Sequence, residues 1–156
     1  RHTFLINLLM NATNATKIGI WMDQGHALLL GYQDEELLLL EDLPSPIESH
    51  TRTDGEGKDL TRFGAEPGDA SNNEHKKHNV HQNQIKAYFL LLEKRLHAKE
   101  ELLLMGPGIS KTQFFHYLQA NKQFSNLKIE VMDSEKMTEN QLLALVKEKF
   151  TEAENS

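Results

Sequence analysis

Three histidines cluster in the stretch Glu74 to His81, EHKKHNVH. His75, His78 and His81 stand at i, i+3 and i+6. On a helix the first two could face one metal ion, while the third is rotated away. A zinc site needs three or four ligands and supporting partners; His50, Asp69 or Glu74 would complete one, as in a metal-dependent hydrolase. The HExxH pattern is absent, and solvated positions on a helix's first turn are the commoner account of the spacing, so no metal is favoured. A second set of side chains suits a different chemistry. His50, Arg52, Lys58, Arg62, Lys76 and Lys77 could pair with phosphates of RNA, and Phe63 could stack on a base. They are the candidate RNA contacts. Glu48, Asp54, Glu56, Asp59, Glu66, Asp69 and Glu74 share the stretch, so a mixed-charge, disordered loop is the alternative.

Two further constellations invite chemistry and carry less. The stretch Gly106 to Thr112, GPGISKT, combines glycines with Lys-Thr. A P-loop needs Gly directly before the Lys and another five residues earlier. Ser110 and Met105 occupy those places, so the reading fails. Asp23 and Asp133 both follow apolar runs, and carboxylates at strand ends could hold Mg²⁺. A turn residue and a strand terminator are the commoner use of such positions. No catalytic residue and no cofactor is assigned.

Composition bounds the rest. The chain has 156 residues, enough for one domain with a sizeable core. Seventeen basic and 23 acidic residues leave a net charge of −6, which argues against a general polyanion binder and against DNA as a partner. There is no cysteine. That removes disulfides, thiolate metal sites and thiol nucleophiles, and fits a reducing, cytoplasmic setting. No apolar run reaches the ~18 residues of a membrane span. The opening RHTFLINLLM lacks a following cleavage site, and the two Asn-Ala-Thr triplets from Asn11 to Thr16 read as chance matches to a glycosylation pattern. The expectation is that residues 1–16 lie outside the fold, with Met10 as the start.

The elements that would position these side chains follow in order. Lys17 to Met22 reads as a strand with Ile18 and Ile20 on one face and Trp21 on the other. Asp23-Gln24-Gly25 is a turn, His26 to Tyr32 a second strand, Gln33-Asp34-Glu35 a second turn. Leu37 to Leu40 is a continuous apolar run, as for a strand covered on both faces. Together these make an antiparallel meander ended by Pro44 and Pro46. Residues 47–79 show no periodicity and read as a loop well beyond the ~12–15 residues usual in compact domains. A helix is expected from about Val80 to Ala98, with Ile85, Phe89, Leu92 and Leu96 in one stripe and Lys94, Arg95, His97 and Lys99 at its negative pole. Leu102 to Met105 is a buried strand. After Gly106-Pro107-Gly108, Ser110 and Gln113 have capping-box spacing, with Ile109 and Phe114 placed as a hydrophobic staple. Residues 127–132 alternate as a strand. Thr138 and Gln141, with Met137 and Leu142, repeat the box and staple before a last helix bearing Leu142, Leu143, Val146 and Phe150. Residues 152–156 are a tail that should fray. The order β-β-β-α-β-α-β-α with a right-handed βαβ unit predicts an α/β fold: one domain over residues 17–151 built on a mixed five-stranded sheet.

The KIGIWMD opening with Asp23, the apolar meander, the long loop before KRLHAKEELLLMGPG, and Gly106-Pro107-Gly108 followed by Lys111 resemble domain 2 of the eukaryotic and archaeal class-1 peptide-release factors and of pelota. The chain looks most like single-domain bacterial relatives of that domain, over about Lys17 to Phe150. The resemblance implies a release-factor domain-2-like fold and a partner in the ribosome or tRNA. In release factors the long loop carries Gly-Gly-Gln, which supports peptidyl-tRNA hydrolysis. Here the nearest match is Asp54-Gly55-Glu56-Gly57-Lys58. Pelota-like members also lack the motif and do not terminate translation. The resemblance, with Gly-Gly-Gln missing, therefore implies a translation-associated module that binds ribosome or tRNA without peptidyl-tRNA hydrolase activity.

Overall fold

The computed structural model describes residues 15–47 and 67–155, the backbone alone over 67–78 and 153–155. The chain divides into two compact units within the expected domain of residues 17–151. One joins the described residues up to Pro44 with those from Leu96 onward; the other is Ser45–Arg95.

The first unit holds a mixed five-stranded sheet, as the element order predicts. Its strands are β1 (Lys17–Met22), β2 (His26–Gln33), β3 (Glu36–Pro44), β4 (Glu101–Gly106) and β5 (Lys128–Asp133). In space they run β3-β2-β1-β4-β5. The hairpin pairings β1/β2 and β2/β3 are antiparallel, and β1/β4 and β4/β5 are parallel. The chain enters this sheet at Thr16, whose carbonyl accepts from the Glu100 and Glu101 N–H groups at 2.8 and 3.1 Å. Residues 1–14 of the expected extension lie outside the described residues. None of the described helices is long and apolar enough to cross a membrane.

Central position explains the burial of β1: every one of its residues is buried, Lys17 included. Side chains alternate across the sheet. On one face Trp21, Leu30, Leu103 and Met105 meet Leu142, Val146 and Phe150 of helix α3 (Glu139–Asn155). Gly19 lies beneath this helix, and a Cβ there would sit 3.2 Å from Val146 Cγ1. The opposite face carries Ile18, Ile20, Leu102 and Leu104 and receives helix α2 (Ser110–Gln119), which packs on β4, β5 and β1 and buries Phe114 and Leu118.

Three expectations need correction. The run Leu37 to Leu40 does not form a doubly covered strand. β3 is the sheet edge, Leu29 pairs with Glu41 and Leu30 with Leu39, and Leu40 is the extra residue of a bulge, 44% exposed. The loop of residues 47–79 is shorter than expected, because the next helix, α1, spans Pro67–Glu93. Proline suits the first helical position, and residues 67–79 lack the apolar stripe that pattern reading detects. A helix already nucleated gains one backbone bond for each residue it adds. At the other end α3 continues to Asn155 rather than ceding residues 152–156 to a tail; Glu152, Ala153 and Glu154 are good helix formers.

Within the second unit, α1 buries Tyr88, Phe89 and Leu92. Arg95 Nη1 donates to the Leu91 carbonyl at 2.9 Å, as expected of a basic residue at a helix C-terminus.

Candidate functional site

The carboxyl ends of β1, β4 and β5 meet along one edge of the sheet, where open α/β sheets place ligand crevices. Three side chains flagged by sequence lie here, and geometry assigns each a structural task. Asp23 ends β1. Its Oδ1 accepts from the N–H groups of Gly25 and His26 at 2.8 and 2.9 Å, closing the turn into β2. The same oxygen lies 3.3 Å from His26 Nδ1, and the His26 ring packs on Trp21 with centroids 5.4 Å apart.

Gly106-Pro107-Gly108 follows β4. Gly106 has φ +142°, and a Cβ there would sit 2.0 Å from the Met22 carbonyl oxygen, so only glycine allows β1 and β4 to approach. Gly108 has φ +67° with no atom within 4 Å of a built Cβ; here the backbone angle selects glycine. This turn displaces the expected cap. Ile109 takes the N-cap position in helical geometry, with no side-chain cap bond, and Ser110 already lies inside the helix. Ile109 is 61% exposed while Phe114 is buried, so the expected staple is not made. The second box forms as expected. Thr138 N–H donates to Gln141 Oε1 at 3.1 Å and Gln141 N–H to Thr138 Oγ1 at 3.2 Å.

Lys111 is buried, and its ammonium donates to the Gly108 carbonyl at 2.7 Å and pairs with Asp133 Oδ1 at 2.6 Å. A buried ammonium needs such partners. The lysine therefore latches the turn after β4 to the end of β5, and it is not free to hold a phosphate as a P-loop lysine does. Asp23 and Asp133 end strands that flank β4, about 10 Å apart at ordinary strand spacing. Each is engaged locally, so they do not form a shared Mg²⁺ site.

The other flagged residues fall elsewhere. His50, Arg52, Lys58, Arg62 and Phe63 lie outside the described residues. His75, Lys76, Lys77 and His78 stand on the backbone of α1, with side chains outside the description. His75 and His78 thus take helical i, i+3 positions. Among the described residues no three His, Asp or Glu side chains converge as a metal site.

A feature without a motif appears on the α2 side. A cleft of about 330 Å³ is lined by Phe115, Gln119, Phe124, Ser125, Leu127 and Ile129. The sequence signal that could have found it is charge: no Asp or Glu occurs from Leu102 to Ile129.

No protein-family model matches this chain, and no curated protein matches it. Among solved structures it is similar to pelota from Archaeoglobus fulgidus, at 11% identity and a TM-score of 0.45, over 95% of this chain and 35% of that one. It is similar to Dom34 of S. cerevisiae, described as a translation termination-like factor, at 14% identity and a TM-score of 0.49, over 92% of this chain and 36% of that one. An archaeal translation termination factor, aRF1, is similar at 12% identity and a TM-score of 0.41, over 99% of this chain and 44% of that one. The chain thus spans less than half the length of these structures.

Proposed function

We propose that this chain is a cytoplasmic, translation-associated module that binds the ribosome or tRNA and has no peptidyl-tRNA hydrolase activity. The contact is made by His50, Arg52, Lys58, Arg62 and Phe63, between β3 and α1, with Lys76 and Lys77 of α1. The observation that carries the reading is an agreement. The mixed sheet and the Gly106-Pro107-Gly108 turn stand where the resemblance to release-factor domain 2 expects them. Fold alone does not establish function; the basic residues between β3 and α1 supply the chemistry. Phosphate contacts weaken as salt rises. Purified protein should therefore pellet with ribosomes at low salt and be released at high salt. Reversing Lys58 and Arg62 to Glu should reduce the pelleted fraction severalfold. Failure to pellet at low salt would sink the reading. Peptidyl-tRNA hydrolysis should stay at background, because Gly-Gly-Gln is absent.

The helical i, i+3 placement of His75 and His78 favours one second reading, a metal-dependent hydrolase using these residues with His50. Metal analysis of untagged protein separates the two. Bound zinc or manganese, and a melting temperature lowered by chelator, would support the hydrolase.

A further inference from the structure

We infer that the cleft between α2 and β5 is a pocket for one unpaired nucleobase of single-stranded RNA. This deepens the reading above, resting on its RNA partner and adding a contact remote in sequence from the β3-to-α1 segment. The cleft is about 330 Å³, at the lower end of the ~300–1,000 Å³ of small-ligand sites. Its walls pair aromatic surface with a few polar groups. Phe115 is half-buried and packs on the His116 ring, with centroids 5.6 Å apart. Phe124 is 7% exposed and forms part of the wall. Gln119 lies one turn after Phe115 on the same helix face and is exposed, as is Ser125. The Gln amide and the Ser hydroxyl each offer both a donor and an acceptor. That is what reading a base edge requires, while a ring supplies the stacking face that every base can use.

The short 3-10 turn Lys122–Phe124 sets the wall. Asn121 caps it, its side-chain oxygen accepting from Gln123 N–H at 3.0 Å. The same turn presents Lys122 to solvent, placed for a phosphate next to a bound base. Charge distribution favours the same occupant. The chain is acidic overall, with 23 carboxylate side chains, yet none lies between Leu102 and Ile129, where Lys111, His116, Lys122 and Lys128 occur. With Lys111 held by Asp133, Lys122 remains as the exposed ammonium of the turn that borders the cleft; Lys128 precedes Ile129 on β5 and faces the other side of the sheet. None of the residues lining the cleft carries a carboxylate.

The test is fluorescence anisotropy of a labelled single-stranded RNA of about ten nucleotides, titrated with the full chain at low salt. Phe115→Ala should weaken binding by roughly fivefold or more, the lower range for losing a base stack. Gln119→Ala and Ser125→Ala, both at exposed side chains, should weaken it severalfold. Urea midpoints and Trp21 emission verify that each variant folds; if Phe115→Ala does not, the other two carry the test. The same RNA annealed to its complement should bind more weakly than the single strand. Equal binding by all variants, or duplex binding as tight as single strand, overturns the inference. So does absence of RNA binding by the native chain, which would leave the cleft to a protein side chain. Ribosome pelleting with the same variants separates the two proposals. Pelleting with no effect of the variants on RNA binding removes only the pocket. Variant-sensitive RNA binding without pelleting removes only the ribosome.

Discussion

At the residue scale, the turn after β4 contains two glycines required for different reasons. Gly106 leaves no room for a Cβ, since Met22 O would be 2.0 Å away. Gly106→Ala should therefore prevent folding or cost more than ~3 kcal/mol. Gly108 faces open space at φ +67°, so Gly108→Ala should cost only the ~1–2 kcal/mol of a left-handed L-residue. Chemical denaturation of the two variants checks the contrast. Lys111 offers a second. Lys111→Ala removes the buried ammonium, leaves the Gly108 carbonyl without this donor and opens a void, at an expected cost of ~1–3 kcal/mol. Lys111→Met keeps the volume without burying a charge and should cost under ~1 kcal/mol. Asp133 is 94% exposed, so water takes over as its partner in either variant.

At the element scale, the two capping boxes separate a spacing from a cap. Thr138→Ala should cost ~1 kcal/mol, because the reciprocal bonds with Gln141 are made. Ser110→Ala should lose no cap energy, because Gly108 has already turned the chain and Ser110 lies within the helix. Urea midpoints of the pair decide it. The β2–β3 hairpin provides a gain. Asp34 and Glu35 both have positive φ, 52° and 70°, the geometry of a two-residue I′ turn. Glutamate is poorly suited there and glycine well suited, so Glu35→Gly should raise stability by up to ~1 kcal/mol, visible as a higher melting temperature.

At the scale of the whole molecule, the sheet unit carries its own reporter. Trp21 is the chain's single tryptophan and is 2% exposed in the cluster shared by the strands and α3. Its emission should be blue-shifted in the folded protein and move red in one cooperative step in urea. Red-shifted emission before denaturant would contradict the burial. Among the described residues none accepts a hydrogen bond from the Trp21 Nε1–H. Chelator should leave the melting temperature unchanged if the ribosome reading holds, which a thermal scan with and without chelator measures.

Local pattern was enough wherever a short-range rule decided the outcome. The five strands, the Asp23 turn, the Thr138 box and the apolar stripe of α3 were legible from spacing and alternation, because each rests on neighbours within a few residues, and the parallel βαβ unit followed from the strand-helix-strand order. The failed P-loop match was legible too. Burial and side-chain partners were not. Leu40 reads as core until its bulge places it at a sheet edge, since an apolar run does not reveal what lies beside it. The first turns of α1 were invisible because no apolar face marks them. Ser110 was one residue from being a cap, a difference set by the backbone angle at Gly108. Lys111 and Asp133 meet only because the crossover through α2 returns β5 parallel beside β4. The cleft beside Phe115 likewise gathers side chains from α2, the 3-10 turn and β5. By itself the sequence determined the elements, their order and the absence of Gly-Gly-Gln. Tertiary structure alone decided which polar groups are consumed by the fold and which surface is left for a partner, because those outcomes depend on contacts distant in sequence.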